Sequence, residues 1–383
     1  MAEWRHALIP ARPPVPRPIV SISPTRFADL SACMCRAAFE QDPTFADARH
    51  ASPASVMGSV AHSVVEAAYR GDFAGEANPR RAAIDLWDRL VTEAAQGVPA
   101  APEPSRWRDY QMKRLRAATQ AAAVTRRQPR ARSSSGEHRG TRVEEWLVSR
   151  DGRVRGRPDR IEVADGKVTV IDLKTASLDE GDVPLAYQQQ LQLYAWLHHE
   201  VTAGWPDAAA IETLAGDRLF VDVDPDVCNQ VAADAIKAME AFNRLAESAA
   251  NFIPLATPDV EHCRYCRYRG GCPAFVAAAD ESWGAFRAMV GGSLVGDEGD
   301  KNDERIRCLT VRVDAGTIEV GGQARIRGEL GTSPLPQGTW VVADRVVPEV
   351  ALHDYWVDWD SLLWTWATDF RAAGTGGERT TRG

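Results

Sequence analysis

The chain has 383 residues, 44% hydrophobic and 26% charged, and a formal net charge of −8. That composition excludes a fibrous repeat or a wholly disordered chain and leaves room for two or three domains with full cores. No run approaches the ~20 apolar residues that cross a bilayer, and the first residues lack the apolar core of a secretory signal, so the expected setting is the cytoplasm, with no membrane partner. Seven cysteines in such a chain point to ligand chemistry rather than to disulfides.

In chain order, residues 1–20 read as a flexible, proline-stiffened arm. Ser23-Pro24-Thr25 is a helix start, a hydroxyl cap with proline just inside, and the helix is expected to run to the Cys33/Cys35 region. A second helix, from about Ser55 to Tyr69, puts Gly58, His62 and Glu66 on one face by their spacing of four. Residues 80–128 read as more helix. From Arg106 to Arg142 eleven Lys/Arg stand against only Asp109 and Glu137. Such a stretch suits phosphate binding on an acidic chain, with Arg114, Arg126 and Arg127 as candidate DNA contacts, and equally suits a solvated helix face.

The hydrophobic period then changes. Strands are expected at Thr141–Ser149, Arg153–Val163 and Lys167–Lys174, the last two joined through an Asp165-Gly166 turn. Pro184 opens a helix to about His199, a strand lies near Leu219–Val223, and a long helix runs from Pro225 to about Ala250. Glycine and acid then mark 291–304 as a linker, 305–366 as a small all-β domain, a five-stranded barrel of the OB kind, and 367–383 as a disordered tail. In that β domain Arg305, Arg307, Arg312, Arg325 and Arg327, with Trp340, Tyr355, Trp356, Trp359, Trp364 and Trp366, offer either a single-strand-binding face or an aromatic core.

The chemistry concentrates in Gly156-Arg157-Pro158-Asp159 and Val170-Ile171-Asp172-Leu173-Lys174. Alternation along a strand points Asp172 and Lys174 the same way, so two carboxylates and an ammonium can meet on one hairpin. Carboxylates hold hard divalent ions, which activate water and neutralise phosphate charge, while an ammonium stabilises a developing oxyanion. Alone, the pattern equally fits a solvated hairpin. It is flanked by His62 upstream and by Gln190 and Tyr194, four residues apart on the following helix.

In that order (helix His, GxxD, DxK, QxxxY) the sequence resembles the RecB-like branch of the PD-(D/E)xK nucleases over roughly residues 20–280. The resemblance implies an α/β fold with a restriction-endonuclease-like core, a mixed sheet flanked by helices, within a nuclease domain spanning 21–290. It implies that His62, Asp159 and Asp172 bind Mg²⁺ or Mn²⁺, with the Leu173 carbonyl as a further ligand. Lys174 would assist the attacking water, Gln190 would position Lys174 or DNA, and Tyr194 would touch the DNA strand, with Arg157 as another candidate DNA contact. Glu144 or Glu145 would support the site.

Cys263-x2-Cys266-x5-Cys272 gives three thiolates for a soft metal, zinc or iron–sulfur. The resemblance, in the manner of AddB and the CRISPR-associated RecB-like exonucleases, implies a [4Fe–4S] cluster with a fourth ligand from the Ser-Pro-Ser/Thr helix. Cys33 has the matching offset, and Cys35 is its rival. The implied activity is a metal-dependent deoxyribonuclease, an exonuclease on single-stranded or frayed DNA in repair, recombination or defence. With no GxxxxGK[ST] loop in the chain, unwinding would fall to a partner helicase or defence protein. The alternatives are a non-cleaving, cluster-stabilised DNA-binding subunit, and a zinc-ribbon interaction protein.

Overall fold

A computed structural model describes residues 8–49, 51–98, 103–127, 140–175, 183–283, 287–300, 303, 306–330, 334–349, 353–357 and 361–367. In chain order the first elements are β1 (Leu8–Ala11), α1 (Pro24–Ala32), α2 (Met34–Gln41), α3 (Pro53–Arg70), α4 (Pro79–Ala95) and α5 (Tyr110–Arg127). Next come β2 (Gly140–Val143), β3 (Leu147–Val148), β4 (Arg155–Gly156), β5 (Arg160–Ala164), β6 (Lys167–Lys174), α6 (Leu185–Thr202), β7 (Ala208–Thr213), β8 (Arg218–Val221) and α7 (Pro225–Glu247). The last are α8 (Val260–Cys263), α9 (Pro273–Ala278), β9 (Ala288–Gly299), β10 (Arg307–Gly316), β11 (Gln323–Gly328), β12 (Trp340–Pro348), β13 (Asp354–Trp356) and β14 (Leu362–Trp366).

These elements form two compact units, one from 19–28 and 51–241, the other from the chain up to Pro18, Asp29–His50 and Phe242 onward. The first, the sheet unit, has a mixed sheet in the order β2-β5-β6-β7-β8, antiparallel except between β6 and β7. Its hairpin turns at Asp165 and Gly166, with φ of 52° and 76°, the conformation that two-residue hairpin loops favour. α6 makes the crossover between the parallel strands and buries Leu191 against Ala209, Ile211 and Val221. On the opposite face of the sheet lie Tyr69 of α3 and Gln120 of α5. The strands expected at 141–149 and 153–163 are each broken, because Glu144 takes φ 48° and Pro158 withholds an N–H.

In the second, the barrel unit, β9, β10, β11, β13 and β12 close into a ring, antiparallel except for the parallel pair β11–β13. β14 extends it from β12, and β1 pairs in parallel with β14. Three sequence expectations change here. The arm is not loose over Leu8–Ala11, whose Ile9 and Ala11 are buried. The linker at 291–304 is largely strand β9, since Val290 and Leu294 fill the barrel core while its glycines lie against neighbouring strands. The cysteine segment, placed above with the nuclease domain, belongs to the same compact unit as the barrel. Trp364 lies flat where a Cβ on Gly270 or Gly271 would stand 2.5 or 2.6 Å from its ring. A buried Arg269–Asp344 pair at 2.8 Å completes the join. The tail from 368, and Arg130, Arg132, Arg139, Arg305 and Trp359, lie outside the described residues.

Candidate active site

α3 begins on a capping box, Ser52 accepting from the Ser55 N–H while Ser55 answers the Ser52 N–H, with Pro53 at its first turn. Its inward face carries His62 to Asp159, Nδ1 to Oδ1 2.9 Å. Asp159 sits between β4 and β5, and its Oδ2 accepts the Leu173 backbone N–H at 2.5 Å. Asp172 and Lys174 share a face of β6, as the pleat requires, with Nζ to Oδ2 2.7 Å. Gln190 bridges the pair, donating from Nε2 to Asp172 Oδ1 at 3.1 Å and accepting from Lys174 Nζ at 2.9 Å. The sequence-predicted constellation therefore comes together: His62, Asp159, Asp172, Lys174 and Gln190 form one connected network within the sheet unit.

Electrostatics follow burial. Asp172 is 4% exposed, and desolvation raises its pKa to about 6 despite Lys174, with Asp159 adding repulsion. His62 also rises: burial pulls it down, but its hydrogen bond to Asp159 and the negative charges of Asp159 and Asp172 outweigh that. Asp172 Oδ2 is buried and has no hydrogen bond of good geometry, only the nearby ammonium. Among the described residues no three His, Cys, Asp or Glu side chains are gathered tightly enough to hold an ion. The donors nonetheless fit a divalent cation. They are two carboxylates and an imidazole, and one buried carboxylate oxygen lacks a hydrogen bond.

Tyr194, expected on the DNA strand, is instead 6% exposed. Its hydroxyl donates to the Arg157 carbonyl at 3.3 Å, and its ring packs where a Cβ on Gly156 would stand 2.7 Å from Cε1. The glycine of GxxD thus exists to seat the tyrosine of QxxxY. Arg114, a candidate phosphate contact, is spent on Asp88, with Nε to Oδ1 2.6 Å, tying α5 to α4. Arg126 and Arg127 remain exposed at the end of α5, without an ion pair among the described residues. Arg157 pairs with Glu144 at 3.2 Å and lies over the exposed Trp146 ring. Glu144 also donates its N–H to the Asp159 carbonyl at 3.1 Å, whereas Glu145 turns to Arg142.

Two features, Tyr187 and the Arg160 layer, escaped the sequence, and Glu66, placed on the His62 face by its spacing, gains a position in the site. Tyr187 places its ring 4.5 Å from Lys174 Nζ, one helical turn before Gln190. Glu66 lines the same hollow as His62, Asp159 and Glu144, its pKa raised by burial and then by Glu144. Behind Asp159, the buried Arg160 bonds Glu212 at 2.8 Å and Glu162 at 2.8 Å. The only signal for that network was an acid inside the apolar run Ala208-Ala209-Ala210-Ile211-Glu212, on a strand the sequence did not reveal.

In the barrel unit, Cys33, Cys35, Cys263, Cys266 and Cys272 line one cavity with Phe39, Tyr268 and Phe275. α1 stops at Ala32 because Cys33 is extended (φ −163°) and caps α2, its Sγ accepting the Arg36 N–H at 3.4 Å, so the single expected helix is two. A hydrogen bond donated by the Cys35 thiol holds the Cys272 pKa below its ordinary value, while burial pushes Cys266 up to about 12. Both rival residues, Cys33 and Cys35, are present at the cavity. Cys228 is buried on α7, and Cys308 is half-buried on β10.

The aromatics offered for single-strand stacking are mostly core: Trp340, Tyr355, Trp364 and Trp366 are buried. The barrel arginines are paired as well, Arg307 with Asp297, Arg312 with Asp314, and Arg325 and Arg327 with Asp354.

Among the described residues no helix is long and apolar enough to cross a membrane. Comparison with curated proteins gives no match. A solved structure titled "Crystal structure of SSO0001" is similar at 16% identity and a TM-score of 0.33, covering 67% of this chain and 88% of that one. The family model described as the PD-(D/E)XK nuclease superfamily matches residues 21–273, and the chain belongs to that superfamily.

Proposed function

We propose that the protein is a Mg²⁺- or Mn²⁺-dependent deoxyribonuclease of the RecB-like branch, acting as an exonuclease on single-stranded or frayed DNA in repair, recombination or defence. The observation that carries this reading is the unbroken hydrogen-bonded set His62–Asp159 and Asp172–Lys174–Gln190, joined through the Leu173 N–H. His62, Asp159 and Asp172 would hold the cation, with the Leu173 carbonyl beside them. Bound there, a divalent ion supplies an acidified water and neutralises phosphate charge. Lys174, fixed between Asp172, Gln190 and the Tyr187 ring, is aimed to stabilise charge developing on the phosphate. Tyr194 acts on the site by positioning Gln190, one turn before it on α6. Arg157, Arg126 and Arg127 are the arginines proposed to meet the strand.

The five thiols support a [4Fe–4S] cluster held by Cys33, Cys263, Cys266 and Cys272. A cavity walled by thiols and aromatic rings suits a soft, thiolate-bound centre. The ring order β9-β10-β11-β13-β12 supports an OB-type barrel. Its buried tryptophans favour a scaffold for the cysteine segment over a strand-binding face. Unwinding would come from a partner helicase or defence protein, in the cytoplasm.

The test is cleavage of end-labelled and circular single- and double-stranded DNA with Mg²⁺ or Mn²⁺. Wild-type activity on labelled ends that Lys174→Ala abolishes is the expected result. A folded wild type inert on all four substrates would instead favour a non-cleaving DNA-binding subunit. For the cluster, iron content and absorbance near ~400 nm should survive Cys35→Ser and be lost in Cys33→Ser. The reverse pattern would make Cys35 the ligand.

A further inference from the structure

On the face of the sheet away from Asp172, a half-open cavity of about 580 Å³ lies between Tyr69 of α3, α5 and strands β7 and β8, apart from the acidic site. Alternation separates the two sites: Asp172 lies opposite Ile211 in the β6–β7 register, so Glu212, one residue on, points to the other face. That volume falls within the range of about 300–1,000 Å³ typical of small-molecule sites.

The cavity is built on Gln120, 8% exposed, and Glu212, 3% exposed. Gln120 Nε2 donates to Glu212 Oε1 at 2.6 Å. A carboxylate only accepts, so flipping the amide would set oxygen against oxygen, and the amide orientation is fixed. Gln120 Oε1 is left as a buried acceptor with no hydrogen-bond partner. Gln120 lines the cavity while its Oε1 is covered, so a ligand N–H satisfies that oxygen when the Gln120 side chain turns toward the ligand.

The charge is equally particular. Glu212 is already balanced by Arg160 and Arg218, each at 2.8 Å. Arg116 and Arg127, also on the lining, have no acidic partner among the described residues. The remaining charge is positive and carried by guanidinium groups, which grip phosphate in bidentate fashion. Leu115, Val124 and Leu214 provide an apolar wall.

We propose that this cavity binds a single nucleotide, its phosphate on Arg116 and Arg127, its base against the apolar wall, and an N–H of the base donated to Gln120 Oε1. All four bases carry such a donor, so the site recognises a nucleotide without choosing among bases. The nucleotide comes either from a free monophosphate, which exonucleolytic cleavage releases, or from a strand laid across this face. The choice of a nucleotide over another aromatic phosphate rests on the nuclease reading, but binding here needs neither metal nor cleavage.

The experiment is calorimetric titration of the full chain with dAMP in EDTA, which separates this site from activity. Saturable binding is expected, weakened at least tenfold in Arg116→Ala and in Gln120→Leu, with inorganic phosphate binding at least tenfold more weakly than dAMP. Arg116 is exposed, so its variant stays folded even if Gln120→Leu does not. Competition by a nuclease-resistant phosphorothioate oligonucleotide would assign the strand as the source, and failure to compete would assign the free monophosphate. No saturation up to 10 mM, or binding unchanged in both variants, would overturn the proposal, whether or not the protein cleaves DNA.

Discussion

The sheet unit and the barrel unit each gather reactive side chains, but they solve burial differently. In the sheet unit the reactive groups are ionisable and held by other charges or by the Gln190 amide, and burial leaves Asp172 at a raised pKa of about 6. In the barrel unit the reactive groups are thiols, backed by rings as well as by Arg36 and Arg269: Phe39 stacks on Tyr268 at 5.3 Å, and Phe45 leans on Trp364 at 6.0 Å. The first arrangement offers the oxygen and nitrogen donors that a hard cation takes. The second gathers soft sulfur donors against aromatic rings, the surroundings a soft centre would take.

The largest expected effect tests the first half of that contrast. Asp172→Ala and Lys174→Ala should each lower the cleavage rate by at least ~10²-fold, because charge stabilisation and proton handling are each worth about 10²–10⁴. The melting temperature should move by only a few degrees. Cleavage within tenfold of wild type in both variants would reduce the network to a structural salt bridge.

Next in size is the joint inside the barrel unit. Arg269→Met leaves Asp344, which is 0% exposed, as a buried charge with a weaker partner in Arg345 at 3.6 Å. Breaking a buried pair in this way costs about 3–5 kcal/mol. Urea unfolding followed at the tryptophans should show a midpoint lowered accordingly, and Arg269→Met/Asp344→Leu should recover most of the loss. If the single variant is neutral, the cysteine segment is seated by its aromatic contacts alone.

How far these two regions were legible from sequence differs for a physical reason. The acidic site could be read because strand alternation and helical spacing fix relative directions: Asp172 with Lys174, Gln190 with Tyr194, His62 with Glu66. The barrel was only partly legible. Its strands showed as β-like runs, but the glycines of β9 read as linker. What makes them strand is close contact with neighbouring backbone, visible only once the ring closes: a Cβ on Gly292 would lie 1.8 Å from the Arg312 carbonyl oxygen. Burial also decided the role of Tyr194 and of Trp364, and no spacing rule encodes it. The Arg160–Glu162–Glu212–Arg218 layer was invisible because its members lie on three strands, of which β7 has the composition of a helix.

A smaller effect, of opposite sign to the loss of activity, is expected for the stability of the metal-free protein. The folded pKa of Asp172 is raised from 3.8 to about 6, so the native state holds a proton that the unfolded chain has released. Stability therefore falls as pH rises from about 4 to 6 and stays reduced above that. Asp172→Asn removes the penalty. In EDTA it should raise stability above pH 6 by on the order of 3 kcal/mol, with the gain gone near pH 4. Thermal melts across that range check it, and an Asn variant less stable at pH 8 would mean that Lys174 more than compensates the burial of the carboxylate.

The smallest effect compares the two units most directly, since each seats an aromatic ring on a glycine. A Cβ on Gly156 would stand 2.7 Å from Tyr194, and one on Gly271 would stand 2.6 Å from Trp364. Overpacking of this kind costs about 1–3 kcal/mol in either place. The consequences should separate. Gly156→Ala pushes Tyr194 and Leu197 outward, and α6 carries Gln190 with them, so its hydrogen bonds to Asp172 and Lys174 lengthen. Turnover should fall about tenfold, the scale of a misplacement that leaves every catalytic group present. Gly271→Ala moves Trp364 against the barrel, lowering the melting temperature by a similar amount while turnover stays within twofold. If both variants lose activity equally, the barrel unit shapes the acidic site, and the division of labour between thiol scaffold and acidic centre does not hold.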